Sequence, residues 1–356
     1  MPDITSGIRR SLLFREGIVA CENVPFSNST MMTWFFNNKR VLTPLFAGAL
    51  YGLLLRIMFD WKLLNDFLQI VSTAFLVVTP FCVGAIAVFM TDQEQPLAVR
   101  RALRVSAQAM MVFMLAMIVL VLEGVICVVL VAPVFLAAAM VGGAVARLFI
   151  LHGNTSRGTI SAFAILPLLV GPLEGTLDTV QSEQVIVDSI RIAAPPEIVF
   201  DQLAQVRDIR PDELGFSFLH LIGLPRPVAA DMHGEGSGTV RVSRWEKNVR
   251  FEEVITTWNR PYAMHYRFHI PPGSIPRDAL DRHVEMGGEY FTVIDGGYDL
   301  ARTSDGGTLL TLRTRFANRS QLKLYGNLWG KMVLHDFHGS ILGLMRSRAE
   351  AASKGA

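Results

Sequence analysis

The sequence predicts a membrane α-helical bundle followed by an α+β domain. Hydrophobic residues make up 51% of the 356 residues and charged residues only 18%, which is too apolar for two soluble domains of ordinary composition. The charges are also divided unequally, because residues 1–180 carry 12 Lys/Arg and 10 Asp/Glu whereas residues 181–356 carry 21 of each. We therefore expect the first half to lie in a membrane and the second half to lie in water.

Four apolar runs in the first half have the length of a membrane-spanning helix, which needs about 20 residues. They are Val41–Phe59, Phe67–Met90, Val105–Leu122 and Val125–Ala146. A fifth run, Ile160–Leu173, is shorter and contains two prolines, so it fits either a fifth span or a re-entrant segment. The transmembrane domain is predicted at residues 39–178, with four or five spans. Arg56 lies inside the first run, where it either snorkels to the interface or has a functional role.

Cations predict the orientation of these spans, because Lys and Arg in short loops are retained in the cytoplasm. The cationic loops alternate correctly as cytoplasmic segments and contain Lys39, Arg40, Arg100, Arg101, Arg104, Arg147 and Arg157. With five spans the C-terminal domain is extracytoplasmic, and with four it is cytoplasmic. We expect a multi-pass protein of the inner (plasma) membrane. Residues 1–38 are expected to be a disordered extension, and whether residues 1–30 belong to the biological protein is left open because Met31 or Met32 could begin the chain.

Charge and cysteine content exclude some classes of function. The net charge is only +2, and residues 181–356 carry no Lys/Arg stripe interleaved with aromatic residues, so we expect no nucleic-acid binding. Cys21, Cys82 and Cys127 provide neither a disulfide framework nor the spacing of a metal site. No cofactor is expected, and the sequence identifies no protein partner.

The second half predicts a strand, two helices, at least five antiparallel strands and a long terminal helix. The predicted elements are Val185–Ile192, Ile198–Ile209, Asp212–Ile222, Thr239–Trp245, Arg250–Trp258, Tyr262–Ile270, Tyr290–Leu300, Thr308–Asn318 and Leu322–Ala351. An apolar stripe on the terminal helix suits one face laid on a sheet. This order is typical of an α+β layering of helix against curved sheet.

Alternation in one strand indicates a possible ligand wall. Aromatic and Met side chains share one face of the predicted strand Tyr262–Ile270, while His and Arg side chains share the other. The apolar face is either ordinary core or the wall of a ligand cavity beneath the terminal helix. On the second interpretation the cavity residues are Tyr262, Met264, Tyr266, Phe268, Tyr290, Trp329 and Met332.

Five segments of the second half form a recognisable series. They are Ile190–Phe200, Gly238–Arg241, Phe251–Ile255, Trp258–Pro261 and Gly307–Leu312, in that order. Their order and spacing resemble those of the START-like superfamily (SRPBCC; polyketide cyclase/dehydrase and lipid transport proteins). The resemblance covers residues 183–352, about half of the chain. It implies a helix-grip fold, in which a bent antiparallel sheet holds a long C-terminal helix around a deep apolar cavity for a lipid or other hydrophobic small molecule.

Candidate chemical groups in this domain are few. Glu253 is the one candidate catalytic residue, with Arg244, Tyr266 and Tyr290 as possible partners, and a buried Glu253 beside Arg244 fits either a structural ion pair or a catalytic acid. His335 and His338 stand at metal-ligand spacing on the last helix, but no third ligand is indicated, so no metal is expected. His265 and His269 share their strand face with a cation that would oppose a metal.

The leading hypothesis is membrane-anchored binding or transfer of a lipid or other hydrophobic small molecule, with the lipid bilayer as the neighbouring partner. A cavity module tethered beside its ligand reservoir gains a high effective concentration. The alternatives are a cyclase- or hydrolase-type enzyme acting on a hydrophobic substrate and a non-catalytic regulatory partner of another membrane protein. The segments Leu221–Pro225 and Pro271–Gly288 are predicted to gate ligand entry, because long loops in compact domains are often lids.

Overall fold

The computed structural model describes residues 39–59, 74–91, 98–153, 156–174, 181–276, 279, 287–288, 290–320 and 322–355. The N-terminal extension, the first part of the predicted second span and half of the predicted lid at residues 271–288 lie outside the described residues. The boundary between the two predicted domains also falls outside them, in residues 175–180.

Five helices lie in the part of the first half that the structure describes. They are α1 (Lys39–Phe59), α2 (Thr79–Phe89, preceded by a π-helical turn at Ala74–Val78), α3 (Val99–Val119), α4 (Val125–Leu151) and α5 (Arg157–Glu174). Three of them, α1, α3 and α4, are long and apolar enough to cross a membrane. The apolar parts of the other two are shorter, so the count of four or five spans stays a prediction.

Small residues let α2 and α4 pack closely. A Cβ atom added to Gly84 would collide with the backbone of Ala139, and one added to Gly142 would collide with the carbonyl oxygen of Phe81. Close approach through small residues is the usual way in which helices associate where no hydrophobic effect acts between them. The two glycines therefore set the distance between α2 and α4.

The bundle has two distinct ends, each with its own core cluster. At one end the last turns of α2 pack with the first turn of α3, the last part of α4 and the start of α5, around Val88, Ala102 and Ala146. At the other end the end of α1, the π-helical turn and the start of α4 pack around Phe59, Phe75 and Val128. Four of the cationic residues noted above, Arg100, Arg101, Arg104 and Arg147, lie in the elements of the first end, and α5 begins there.

Arg56 is buried in an ion pair at the second end of the bundle. Its guanidinium donates to a carboxylate oxygen of Glu123 at 2.9 Å and to the carbonyl oxygen of Leu122 at 3.0 Å. The side chains of Arg56 and Glu123 are only 4% and 9% exposed. The turn between α3 and α4 therefore supplies the counter-charge for Arg56, and snorkelling to the interface stays a prediction.

The second half is a seven-stranded antiparallel sheet with helices packed on it. The strands are β1 (Ser182–Ile192), β2 (Pro227–Met232), β3 (Val240–Trp245), β4 (Arg250–Asn259), β5 (Ala263–His269), β6 (Phe291–Arg302) and β7 (Thr308–Asn318), in the spatial order β1-β7-β6-β5-β4-β3-β2. The helices are α6 (Pro196–Ala204), α7 (Phe218–Leu221) and the long α8 (Lys323–Gly355), which lies against β1 and β7. This arrangement is consistent with a helix-grip fold.

Most of the predicted strands lie close to the observed ones, and β7 has the predicted bounds. The helix predicted to end at Ile209 stops at Ala204, because Val206 instead forms a backbone bridge with Ala230 of β2. The second predicted helix, Asp212–Ile222, is a short 3-10 turn followed by one helical turn that Ser217 caps. Strand β2 is missing from the prediction because it begins at a proline and contains two alanines and an aspartate, which are weak strand formers.

The alternation expected in β5 is confirmed. Met264 and Tyr266 are buried beneath α8, whereas Arg267 and His269 are exposed. The core of the domain continues across the sheet through Leu310, Leu312 and the inner face of α8. Burial of such side chains supplies most of the folding free energy, at about 25 cal/mol per Å² of apolar surface.

Candidate ligand cavity

A cavity of about 310 Å³ lies where the sheet, α8 and the second end of the bundle meet. The sheet contributes residues of β2 to β7, and α8 contributes residues from Tyr325 to Met345. The bundle contributes the π-helical turn, the end of α3 and the part of α4 from Ile126 to Phe135, including Cys127 and Val131. Most of the lining residues are apolar, and several are aromatic. The space beneath the last helix is therefore not filled by the aromatic side chains that surround it.

One polar cluster interrupts this apolar wall. Arg241 on β3 and Glu253 on β4 stand directly opposite each other in the antiparallel ladder, and the guanidinium of Arg241 donates to Glu253 Oε2 at 2.5 Å. The Ser243 hydroxyl, two residues along β3 on the same face, donates to Glu253 Oε1 at 2.7 Å. Both charged side chains are less than a tenth exposed. Strand register therefore fixes the pair in the cavity wall.

The ion pair determines the protonation state of the cluster. Burial is the largest single effect on Arg241 and lowers its pKa, but the charge of Glu253, the hydrogen bond to it and the neighbouring tyrosines together hold that pKa above its ordinary value. Burial raises the pKa of Tyr266 and of Tyr298, whose phenol groups lie beside the pair. Arg241 therefore stays charged, and the phenols of Tyr266 and Tyr298 stay protonated.

The predicted partner of Glu253 is wrong, although Glu253 itself lies in the cavity wall. Arg244 faces the other side of β3 and pairs with Asp231 of β2 at 2.5 Å, because neighbouring residues of a strand point to opposite faces. Residues 241, 243 and 245 share one face of β3, and Arg241 lies opposite Glu253 on β4. The alternation along β3 would therefore have identified Arg241 and Ser243 as the partners of Glu253. Whether Glu253 is catalytic is not tested by this geometry. Tyr290, another proposed partner, does line the cavity.

Four of the seven predicted cavity residues line this space: Tyr266, Phe268, Tyr290 and Trp329. The other three do not. Met264 is fully buried in the core of the domain, in the same cluster as the cavity residues Tyr266 and Tyr298. Tyr262 lies in the turn before β5 and is 48% exposed, and Met332 is 39% exposed on the outer side of α8. These three residues are therefore not part of the described cavity wall, and their contact with a ligand stays a prediction.

The histidines of α8 form a hydrogen-bonded group with Asp188 and Thr314. Asp188 of β1 accepts from the Nδ1 atoms of His335 and His338, each at 2.8 Å, and Nε2 of His338 contacts the Thr314 hydroxyl at 2.9 Å. Burial lowers the pKa of His338, and Asp188 offsets part of that effect. Within the part of the chain that the structure describes, no group of three potential ligands is placed to hold a metal ion. This group ties α8 to β1 and β7.

The remaining predicted groups are placed as follows. His265 pairs with Asp299 and His269 pairs with Glu252, both at 2.9 Å on the outer face of the sheet. Of the two predicted lids, Leu224 and Pro225 border the cavity, whereas the described part of the loop at residues 271–288 does not appear in its lining. Gating by these segments stays a prediction.

Comparisons with known proteins give weak similarities. No family model and no curated protein matches the sequence. A protein of unknown function from Staphylococcus aureus is similar in structure over 50% of this chain and 99% of its own, with 9% identity and a TM-score of 0.34. The di-domain ARO/CYC protein BexL from the BE-7585A biosynthetic pathway is 17% identical over 60% of this chain and 63% of its own, with a TM-score of 0.32. Truncated norcoclaurine synthase from Thalictrum flavum is 11% identical over 49% of this chain and 98% of its own, with a TM-score of 0.30. Similarity at this level establishes neither a family nor a function for this chain.

Proposed function

We propose that this membrane protein binds a lipid or other hydrophobic small molecule in the cavity and transfers it at the membrane surface. The observation that carries the proposal is a cavity with mostly apolar walls, to which the helical bundle and the α+β domain both contribute. Ligand pockets have volumes of about 300–1,000 Å³, and the observed volume of about 310 Å³ lies at the lower end of that range. Apolar burial would supply most of the binding free energy.

The polar atoms of the wall indicate what the ligand carries at one end. Among the described residues, Arg241 Nε, His220 Nε2 and Ser320 Oγ are buried without a hydrogen-bond partner, and all three residues line the cavity. Buried polar atoms in folded proteins nearly always find a partner. Because Glu253 already neutralises Arg241, the best partner is an uncharged oxygen, such as a hydroxyl or carbonyl group. We infer an amphiphile with an uncharged polar group and an apolar body.

The proposed topology places the α+β domain outside the cytoplasm. The predicted cytoplasmic cations lie at one end of the bundle, while the cavity residues of α3 and α4 lie at the other. With α2 and α5 counted as spans, five helices carry the chain from the cytoplasmic side to the opposite side. A reporter enzyme fused after residue 356 tests this, because it should be active only when the C-terminus lies outside the cytoplasm.

Mass spectrometry of the purified full-length protein tests the binding function. We expect a membrane amphiphile to remain bound after detergent extraction and gel filtration of the native protein. The variant Val333→Trp should lose it, because Val333 lines the cavity and a larger side chain there occupies ligand volume. Met332→Trp is the matched control, because the neighbouring Met332 faces outward. Equal ligand content in both variants, or none in the native protein, would contradict the proposal.

An enzymatic function is the second candidate, favoured by one observation: a buried carboxylate lies in the cavity wall. Against it, Arg241 and Ser243 occupy both oxygens of Glu253, as in a structural ion pair. The variant Glu253→Gln separates the two functions. Loss of turnover of a bound amphiphile with retained binding would establish catalysis, whereas unchanged lipid composition over time in both proteins would exclude it.

A further inference from the structure

We propose that the ligand enters the cavity from the bilayer, through the second end of the helical bundle, and that its apolar chain occupies the part of the cavity between α3, α4 and the π-helical turn. This inference rests on the proposed function and adds a binding site for a hydrocarbon chain inside the membrane half. The ligand class that follows is a bilayer-resident amphiphile with an extended acyl or isoprenoid chain.

The depth of the cavity along α4 is the first argument. Its lining residues on α4 extend from Ile126 to Phe135. At 1.5 Å per residue this corresponds to roughly 14 Å along the helix axis. A bilayer has a hydrocarbon core of about 30 Å, so a cavity of this depth reaches close to the middle of the membrane when α4 begins at the surface. A ligand confined to the water-exposed domain would not need this extension.

The chemistry of this part of the cavity is the second argument. Its walls are formed by apolar side chains, including Met117, Cys127, Val131 and Phe135. Among the described residues of this half, the one charged residue in the lining is Glu123, and its pairing with Arg56 balances its charge. Such a wall suits a hydrocarbon chain, whereas the polar cluster around Arg241 lies in the sheet. The cavity therefore matches an amphiphile with its polar group in the α+β domain and its chain in the bundle.

The seam between the two halves is the third argument. The Tyr325 hydroxyl at the start of α8 donates to the carbonyl oxygen of Leu130 on α4 at 2.5 Å, and Leu322 packs against the bundle core. Tyr325 and Leu322 both line the cavity. Pro133 on the next turn of α4 lacks an N–H and so weakens the helical hydrogen bonding nearby. The cavity thus passes from one half to the other along a direct contact between them.

Cys127 provides a direct test, because it lines the bundle part of the cavity and forms no disulfide. In a Cys21→Ser/Cys82→Ala background it is the only thiol of the chain. The protein, reconstituted in phosphatidylcholine vesicles, is treated either with a long-chain alkyl methanethiosulfonate or with a trimethylammonium-ethyl methanethiosulfonate. We expect the alkyl reagent to modify Cys127 roughly a hundredfold faster, from the cost of bringing a permanent charge into the bilayer. Equal rates, or no modification of Cys127 by the alkyl reagent, would overturn the inference.

A pair of variants on α4 separates this inference from the proposed function. Val131→Trp narrows the bundle part of the cavity, and Val141→Trp is the matched control on the exposed side of the same helix. We expect Val131→Trp to slow alkyl labelling of Cys127 and the exchange of bound amphiphile with vesicles, with Val141→Trp like the parent protein. If amphiphile is bound but Val131→Trp leaves both rates unchanged, the route through the bundle is wrong and the proposed function stands. If the parent protein binds no amphiphile, the proposed function itself fails.

Discussion

Two Arg–Glu pairs border the cavity, one in each half of the molecule, and they are held in different ways. Arg241 and Glu253 are opposite residues of neighbouring strands, so the ladder of the sheet fixes them and Ser243 adds a third contact. Arg56 and Glu123 are 67 positions apart and join the end of one helix to the turn between two others. The first pair is part of a rigid wall, whereas the second depends on how the helices of the bundle pack. We therefore expect the two pairs to respond differently when one partner is removed.

The largest effect is expected for Arg241→Met. This variant leaves Glu253 as a buried carboxylate without its cation, which typically costs about 3–5 kcal/mol of stability. Thermal unfolding of the purified full-length protein should show a large decrease in midpoint. The double variant Arg241→Met/Glu253→Leu should recover most of it, because no uncompensated charge is left. A double variant as unstable as the single one would show that the pair is needed for more than charge balance.

A smaller effect is expected for Glu123→Gln, about 1–3 kcal/mol for a buried group that loses its best partner. Arg56 retains its bond to the Leu122 carbonyl and has a long side chain that can extend toward the membrane surface. The same thermal measurement should give a midpoint between that of the native protein and that of Arg241→Met. If Glu123→Gln is the more damaging change, the bundle pair is as rigid as the pair in the sheet.

The smallest effect is expected from pH and involves the His338 group at the junction of α8 with β1 and β7. Burial lowers the folded-state pKa of His338 below its ordinary 6.5, so the unfolded chain binds this proton more readily than the folded one. Stability from this residue is present above pH 6.5 and is lost as the pH falls toward the lowered folded-state pKa. The thermal unfolding midpoint should therefore decrease as the pH is lowered from 7.5 to 5, a range that includes the ordinary histidine pKa of about 6.5.

The variant His338→Gln identifies the source of this pH dependence. Glutamine keeps a hydrogen-bonding side chain at the same place but cannot take up the proton. We expect the unfolding midpoint of this variant to be lower than that of the native protein at neutral pH and to change less as the pH falls. His265→Gln is the control, since His265 pairs with Asp299 on the outer face of the sheet. Parallel profiles for the native protein and His338→Gln would show that other groups cause the acid sensitivity.

The difference between contacts within one element and contacts between the two halves explains how much of the structure could be predicted from the sequence. Local patterns such as the alternation in β5 and the apolar stripe of α8 predict the strands, the last helix and the apolar runs, because each depends on neighbouring residues. The alternation also places Tyr266 and Phe268 in the cavity wall. Edge strand β2 is missed because its residues have low strand propensity. Its extended conformation is stabilised by pairing with β3, which the local sequence does not show.

The cavity itself could be predicted only in part. The alternation argument could have identified Arg241. Arg244 lies three positions further along the strand, an odd number, and therefore faces the opposite side of the sheet. The contributions of Cys127 and Val131 could not be predicted, because they depend on how the bundle and the α+β domain meet. No local sequence pattern predicts that contact. Tyr325 makes it, but its position in the sequence is the same as that of an ordinary aromatic residue in an amphipathic helix.

A photoreactive residue at each end of the cavity would show whether one ligand spans both halves. p-Benzoylphenylalanine is introduced in place of Val131 on α4 or in place of Val333 on α8, both of which line the cavity. After irradiation in membranes, the mass added to each position is determined. We expect the same amphiphile to be attached at both positions. Attachment at Val131 alone, with nothing captured at Val333, would show that lipid only surrounds the bundle and does not enter the α+β domain.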